Sequence, residues 1–126
     1  MDKATYDKGL EIRRAVLGDA YVDRALARTD AFNKPLQDLV TEYCWGAVWG
    51  RDELPRKTRS MLNLAMISIL NRPHELKAHI RGALTNGVSR DEIREIFMQV
   101  SIYAGIPAGV DSFRIAREVF AELDKA

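Results

Sequence analysis

The chain has 126 residues, a length typical of one domain, and its 47% apolar and 29% charged content is ordinary for a globular protein. The net charge of +1 provides no field that would attract nucleic acid or anionic lipid, so we expect neither partner. The single cysteine, Cys44, excludes an intrachain disulfide, the charged N-terminus lacks the apolar core of a signal peptide, and no apolar run approaches the ~20 residues of a membrane span. We therefore expect one cytoplasmic domain over residues 1–126.

Apolar residues recur at helical spacing along almost the whole chain, and no stretch alternates with the period of a strand. The pattern predicts helices over about residues 3–17, 20–29, 33–45, 55–70, 72–85, 89–104 and 108–124. The sequence thus predicts an all-α, single-domain bundle of about six to seven helices.

Several local signals sharpen these boundaries. Asn71 is a possible N-cap for the helix that has Pro73 in its first turn, and Asn86-Gly87 ends that helix in a left-handed turn. Ser89 and Glu92 match a capping box that opens the next helix.

Two helices carry apolar patterns from which we predict burial. The helix over 55–70 is apolar almost all round, so we expect it at the centre of the fold or of a homo-oligomeric assembly. In the last helix, we expect one side to be buried; its members are Val110, Phe113, Ala116, Phe120 and Leu123.

Both histidines of the chain lie in the helix that starts near residue 72. Glu75 and His79 are four residues apart and share one face, with His79 at the edge of the apolar stripe. A carboxylate beside an imidazole can hold and transfer a proton. The alternative is a partly buried histidine that its neighbour merely stabilises. His74, in the first turn, is expected to face solvent.

Both tryptophans lie between Glu42 and Arg51, with Tyr43 beside them and glycines interspersed. Glycines beside aromatic residues allow a backbone or a ligand to approach closely, and an arginine after such a wall suits two-pronged binding of a carboxylate. Trp45 and Trp49 could equally be core or interface residues.

A basic triplet opens the 55–70 helix. Because cations are unfavourable at a helix N-terminus, Arg56, Lys57 and Arg59 should be compensated by acidic side chains such as Asp52 and Glu53, or by an anionic ligand. A solvated surface cluster is the alternative.

Tyr103 stands before a Gly/Pro break, where it could face a cleft, although tyrosines at such positions are more often core. Cys44 resembles a small buried hydrophobe rather than a nucleophile. The sequence has no metal-ligand spacing, so we expect no metal site.

Four segments of the chain resemble the carboxymuconolactone decarboxylase family, and the similarity runs from about residue 6 to 123. The segments are residues 42–51, 56–66, 71–87 and 103–108. The wider superfamily contains alkylhydroperoxidase D-like peroxidases, which carry Cys-x-x-Cys-x-x-x-His. Here that frame is Arg72-x-x-Glu75-x-x-x-His79, so both thiols that peroxidase chemistry needs are replaced.

The resemblance implies an alkylhydroperoxidase D-like fold, a homo-oligomer that is commonly a hexamer, and a decarboxylase that uses no cofactor. The implied reaction converts 4-carboxymuconolactone to 3-oxoadipate enol-lactone and carbon dioxide in protocatechuate breakdown (the β-ketoadipate pathway). The departing carboxylate sits γ to an unsaturated lactone carbonyl, so the substrate itself delocalises the electron pair. The protein must anchor two carboxylates, stabilise an oxyanion and deliver a proton.

With that resemblance, we expect His79 to supply the proton or an oxyanion hydrogen bond, Glu75 to tune it, and Glu42 to be a second candidate acid. The expected substrate-binding residues, arginine anchors and an aromatic wall, are Arg51, Arg59, Arg72, Trp45, Trp49, Tyr43 and Tyr103. Two alternatives stay open: a paralogue acting on another small lactone or keto acid, and a non-catalytic helical oligomer that binds a small organic acid or a partner protein.

Overall fold

A computed structural model describes residues 1–125, which form helices joined by short turns. The helices are α1 Lys3–Leu17, α2 Asp19–Ala27, α3 Lys34–Leu39, a π-helix Val40–Val48, α4 Arg56–Leu70, α5 Pro73–Thr85, α6 Arg90–Ala104 and α7 Ile106–Asp124. No strand occurs within residues 1–125, so the all-α prediction is confirmed. None of the helices described over that range has the length and apolar character to cross a membrane. The helices group into two compact units, Met1–Pro55 and the chain from Arg56 onward.

In the first unit, α1 packs along the π-helix so closely that the two backbones touch. A Cβ on Gly9 would overlap the carbonyl oxygen of Thr41 and lie 2.7 Å from the backbone nitrogen of Gly46. A Cβ on Gly46 would overlap the carbonyl oxygen of Thr5. These glycines therefore permit a close approach, and what approaches is the chain's own backbone.

The third predicted helix changes its winding after Leu39. From Val40 to Val48 it is a π-helix, whose hydrogen bonds span one residue more than those of an α-helix, and the N–H of Trp49 donates to the carbonyl of Cys44 at 3.0 Å. The apolar period alone does not distinguish these two windings. The prediction of a continuous helix there is confirmed, and the prediction of its α geometry is wrong.

In the second unit, α4 packs between α5 and α6, and α7 packs against all three. The core that they share is aliphatic and aromatic, and its ten buried residues are Leu64, Leu76, Ile80, Ala83, Val88, Ile93, Phe97, Ile115, Ala116 and Val119. The predicted stripe of α5 forms part of this core, which fixes the direction in which the opposite face of α5 points.

The predicted helix ends are mostly confirmed. The capping box between Ser89 and Glu92 is present in both directions, and Gly87 has a φ of 93° after α5. The predicted N-cap of α5 is wrong: Arg72 takes that position, and Asn71 has a φ of 55°. Asparagine tolerates this left-handed conformation well, and here it makes the sharp turn between α4 and α5.

The predicted burial of α4 and of one side of α7 is only partly confirmed. Within the chain, Leu62 and Met66 of α4 are 48% and 52% exposed, because α5, α6 and α7 cover only part of its surface, and burial of this helix in an assembly stays a prediction. In α7, Val110 and Leu123 are exposed, and the buried face comprises Gly109, Ser112, Ile115, Ala116 and Val119. Small residues define that face because α6 comes close: a Cβ on Gly109 would overlap the hydroxyl of Ser101.

Candidate functional site

Helix α5 sets an imidazole and a carboxylate one turn apart. Its buried face, Leu76 and Ile80, packs into the core, and Ala78 is buried as well. His79 is half-buried at the edge of this face and Glu75 is exposed. His74 is exposed in the first turn, as predicted. The helix thus presents a partly desolvated imidazole with an acidic neighbour, which is the arrangement predicted from the spacing.

Burial is the main influence on the pKa of the His79 imidazole. It lowers the pKa of His79 from the ordinary 6.5 to about 4, because the charged ring loses solvation, and the negative charge of Glu75 opposes this shift. In the free chain at neutral pH, the ring is therefore neutral. A further negative charge bound beside it would raise the pKa again, so protonation of His79 is coupled to anion binding.

The depressed pKa makes folding stability depend on pH. As the pH falls below 6.5, the unfolded chain takes up a proton on His79, whereas the folded chain does not until about pH 4. The contribution of His79 to the free energy of unfolding is therefore fully present above pH 6.5 and is lost progressively between pH 6.5 and 4. We expect the urea midpoint of the wild type to fall more steeply over this range than that of His79→Gln, which removes the titrating group. Parallel slopes for the two proteins would contradict the depressed pKa.

Two of the predicted arginine anchors lie in the same unit as this pair. Arg59 is half-buried near the start of α4, the helix that packs on α5. Arg72 is the N-cap of α5, and its Nη1 donates to the carbonyl oxygens of Leu70 and Asn71 at 2.9 and 3.2 Å. Two guanidinium groups of the second unit thus lie on α4 and at the start of α5, and α5 also carries the acid–imidazole pair.

Lys57 of the basic triplet is compensated by an acidic side chain, as predicted, but by a different one from those named. Lys57 forms an ion pair of 3.1 Å with Glu92 on α6, and neither Asp52 nor Glu53 supplies this partner. Glu53 instead contacts Arg51 at 3.4 Å. The acidic first turn of α6 thus offsets part of the positive charge at the start of α4.

A small polar cavity of about 230 Å³ lies where α5 and α7 begin. Arg72 lines it together with the buried hydroxyls of Ser68 and Ser112, whose Oγ atoms are 2.5 Å apart. A larger groove between α4 and α6 has Tyr103 in its lining. Glu75 and His79 line neither cavity, so Tyr103 and the acid–imidazole pair face different surroundings. Tyr103 is 82% exposed, and its alternative prediction as a core residue is wrong.

The remaining predicted site residues belong to the first unit. Trp45 and Trp49 are buried and stack on each other with ring centroids 4.8 Å apart, so both rings are core residues of this unit beside Ile12 and Val16. Of the other predicted site residues in this segment, Tyr43 and Arg51 are exposed and Glu42 is half-buried.

One buried charge was missed from the sequence. Arg13 on α1 is only 6% exposed, and its Nη1 donates to Oε1 of Gln37 at 3.0 Å and to Oγ1 of Thr41 at 3.3 Å. Burial lowers the pKa of this guanidinium. The available signal was that a basic residue interrupts the apolar stripe of α1 at helical spacing. It joins α1 to α3 and the π-helix.

Cys44 is half-buried against the tryptophan core, and burial raises the pKa of its thiol. A raised pKa keeps the sulfur protonated, which agrees with its prediction as a small hydrophobe. Within residues 1–125, no group of three or more His, Cys, Asp or Glu side chains is placed to hold a metal ion.

An all-helical chain that sets an imidazole, a carboxylate and guanidinium groups on adjoining helices has the residues of a protein that handles protons on a small anionic ligand. The chain belongs to the carboxymuconolactone decarboxylase family, whose model matches residues 34–118. The matched segment includes the π-helix, α4, α5, α6 and most of α7.

Curated relatives are similar along nearly the whole chain. A 4-carboxymuconolactone decarboxylase of Acinetobacter baylyi is 41% identical over 97% of this chain and 91% of its own length. A nitrosuccinic acid decarboxylase of Metarhizium robertsii is 37% identical over 98% of this chain and 86% of its own length. A 4-carboxymuconolactone decarboxylase of Pseudomonas putida matches 36% of this chain at 47% identity.

Proposed function

We propose that this chain is a decarboxylase that converts 4-carboxymuconolactone to 3-oxoadipate enol-lactone and carbon dioxide without a cofactor. The observation that carries the proposal is the 41% identity, over 97% of the chain, to a protein named for that reaction. The acid–imidazole pair on α5 and the arginines of α4 and α5 are residue types that suit the reaction.

The chemistry divides into three tasks. When carbon dioxide leaves, its bonding electron pair spreads through the ring double bond to the lactone oxygen and forms a dienolate. A proton then adds to the carbon α to the lactone carbonyl and gives the enol-lactone. Each turnover therefore releases one carbon dioxide and consumes one proton, so the protein needs a proton donor, an oxyanion partner and anchors for two carboxylates.

His79 is the proposed proton donor. A neutral imidazole cannot give up a proton here without becoming a strongly basic imidazolate, so the ring must be charged when it acts. Burial keeps it neutral in the free chain, and the two carboxylates of the bound substrate supply the negative charge that favours the imidazolium. Glu75 adds to this effect, since its charge also raises the pKa of His79.

The carboxylate anchors are proposed to be Arg59 and Arg72. The guanidinium group binds a carboxylate through two parallel hydrogen bonds, which fixes its orientation as well as its position. Arg72 already donates to backbone carbonyls through Nη1. Arg59 is half-buried, so a hydrogen bond that it makes to an anion is less weakened by solvent.

The first unit supplies further proposed ligand contacts. Tyr43 and Arg51 are exposed, so each has surface available to a ligand, and Glu42 is a second candidate acid. Trp45 and Trp49 are buried in the core of the same unit, and their proposed part is to exclude water.

A second substrate class deserves an equal test. The relative named nitrosuccinic acid decarboxylase is 37% identical over 98% of this chain. Nitrosuccinate and carboxymuconolactone are both dicarboxylic acids, and each carries a group that can take up the electron pair released with carbon dioxide. The alternative function is therefore decarboxylation of another small activated dicarboxylate by the same residues.

We also propose that the protein has the alkylhydroperoxidase D-like fold and acts in the cytoplasm as a homo-oligomer, as a hexamer. The exposed apolar side chains of α4, α6 and α7 support assembly, because monomers rarely expose so many large apolar residues.

The test is turnover by purified protein in buffer that contains a metal chelator and no added cofactor. We expect stoichiometric carbon dioxide release from 4-carboxymuconolactone, with kcat/KM well above that for nitrosuccinate or a simple keto acid. A higher kcat/KM for nitrosuccinate would establish the second substrate class. Absence of turnover with all of them, together with measurable binding, would favour the non-catalytic oligomer.

A further inference from the structure

The second unit exposes two apolar surfaces that adjoin each other. One is the floor of a concavity of about 660 Å³ between α4 and α6, and we call its apolar residues the groove: Met61, Leu62, Ala65, Ile69, Ile96 and Val100. The other surrounds Gly105, where α6 ends and α7 begins, and we call it the corner: Ile102, Tyr103, Ile106 and Val110. Tyr103 connects the two surfaces, since it also lines the concavity between α4 and α6.

The corner is unusually exposed for side chains of its kind. Ile102 and Tyr103 are 73% and 82% exposed, and Ile106 and Val110 are 59% and 61% exposed. In the groove, Leu62 and Ile69 are 48% and 54% exposed. None of these residues is covered within the chain, so an apolar ridge and an apolar concavity stand side by side in contact with water.

The charges at the rim of the groove are already compensated. Arg94 pairs with Asp91 at 3.1 Å and with Glu95 at 2.9 Å, and Lys57 pairs with Glu92 at 3.1 Å. Covering the groove would therefore leave these rim charges paired, which avoids the larger cost of burying a charge that has no partner.

The exposed area lies at the upper end of what a monomer exposes and approaches what a standard interface buries. Leu62 and Ile69 of the groove and the four side chains of the corner present on the order of 600 Å² per chain, before the less exposed groove residues are counted. A standard interface buries about 800 Å² per partner, whereas the largest apolar patch of a typical monomer is about 300–600 Å².

We infer that these two surfaces form a two-fold interface between two copies of this chain, in which the corner of each copy packs into the groove of the other. A two-fold contact requires one patch to carry both complementary parts, and the ridge and the concavity meet at Tyr103. The inference rests on the proposed self-assembly and names the surface responsible. It also assigns Tyr103 to the interface in place of the substrate contact predicted from the sequence.

The test compares the mass in solution of three variants by size exclusion with light scattering. Ile102→Lys places a charge on the corner, and Ala65→Glu places one in the groove. Phe32→Lys, at a position 94% exposed in the first unit, is the matched control. We expect the first two to lose at least half of the wild-type mass and the control to keep it. Far-UV circular dichroism checks folding, and Tyr103→Ser, also at an exposed position, replaces any variant that does not fold.

Mixing the two variants tests the mode of pairing. A dimer of one variant has both corner–groove contacts broken, whereas a mixed dimer keeps one contact between an unmodified corner and an unmodified groove. We expect the mixture to form assemblies of higher mass than either variant forms alone. If the wild type is oligomeric and both variants keep its mass, or if mixing restores nothing, the interface inference is wrong while self-assembly stands. A monomeric wild type overturns both.

Discussion

Replacement of His79 by alanine should lower kcat for carboxymuconolactone decarboxylation by about 10²–10⁴-fold, the usual contribution of a positioned acid or base. The physical reason is that the dienolate formed on loss of carbon dioxide needs a proton, and in the variant water or a less well placed acid must supply it. His74→Ala is the matched control, because it removes the same side chain from the exposed first turn of the same helix. We expect that control to keep wild-type kcat.

The measurement is the initial rate of substrate loss at saturation, with the melting temperature of each variant recorded beside it. A fall of less than about tenfold in a folded His79→Ala protein would remove this residue from the proton-transfer step. The pH profile gives a second readout. Because Glu75 raises the pKa of His79, Glu75→Gln should shift the alkaline limb of kcat to lower pH. If the alkaline limb does not shift, Glu75 does not tune the pKa of His79 and its role is purely structural.

Replacement of Arg59 by alanine should lower kcat/KM by about 10–100-fold, since a hydrogen bond between charged groups is worth about 1.5–3 kcal/mol. Most of the loss should appear as a higher KM, with a smaller loss in kcat if the anchor also orients the departing carboxylate. Arg56→Ala is the matched control: it removes the same charge from the same turn of α4, at an exposed position.

Two further variants separate charge from geometry at this position. Arg59→Lys retains the charge and loses the two-pronged fork, so it should recover part of the lost kcat/KM. If Arg59→Ala and Arg56→Ala have equal, small effects, the basic residues of α4 act only through the general field, and the anchor must be sought at Arg72 or Arg51. Equal melting temperatures for the two alanine variants would exclude a folding defect as the cause.

The helices were largely predictable because their signals are local. The Ser89–Glu92 capping box and Gly87 act through backbone geometry within a few residues, and the structure confirms both of them. The side of α5 that faces the core was also predictable, because the large apolar residues Leu76 and Ile80 mark it.

The predictions that failed depended on contacts between distant parts of the chain. The buried face of α7 follows Gly109 and Ser112, small residues whose burial depends on how near α6 comes. The exposure of Tyr103 depends on which helices cover that end of α6. Pairing across the fold also assigned Glu92 as the partner of Lys57, although acidic residues closer in sequence were available.

The candidate site was predictable in its residue types and not in its arrangement. The spacing of Glu75 and His79 was sufficient to place both on one face of α5. The low pKa of His79 could not be predicted, because it arises from desolvation by tertiary packing. The same holds for the stacking of Trp45 on Trp49, which depends on the π-helix that carries them.

The wide turn from Val40 to Val48 constrains the length of the chain at this point. Deleting one residue there while the wide winding persists would rotate the part of the helix after the cut by roughly a quarter of a turn relative to the part before it. Trp49 would then swing away from Ile12 and Val16, and the first unit would lose its aromatic layer. Natural variants of this protein should therefore tolerate substitutions in this stretch far better than single-residue gaps.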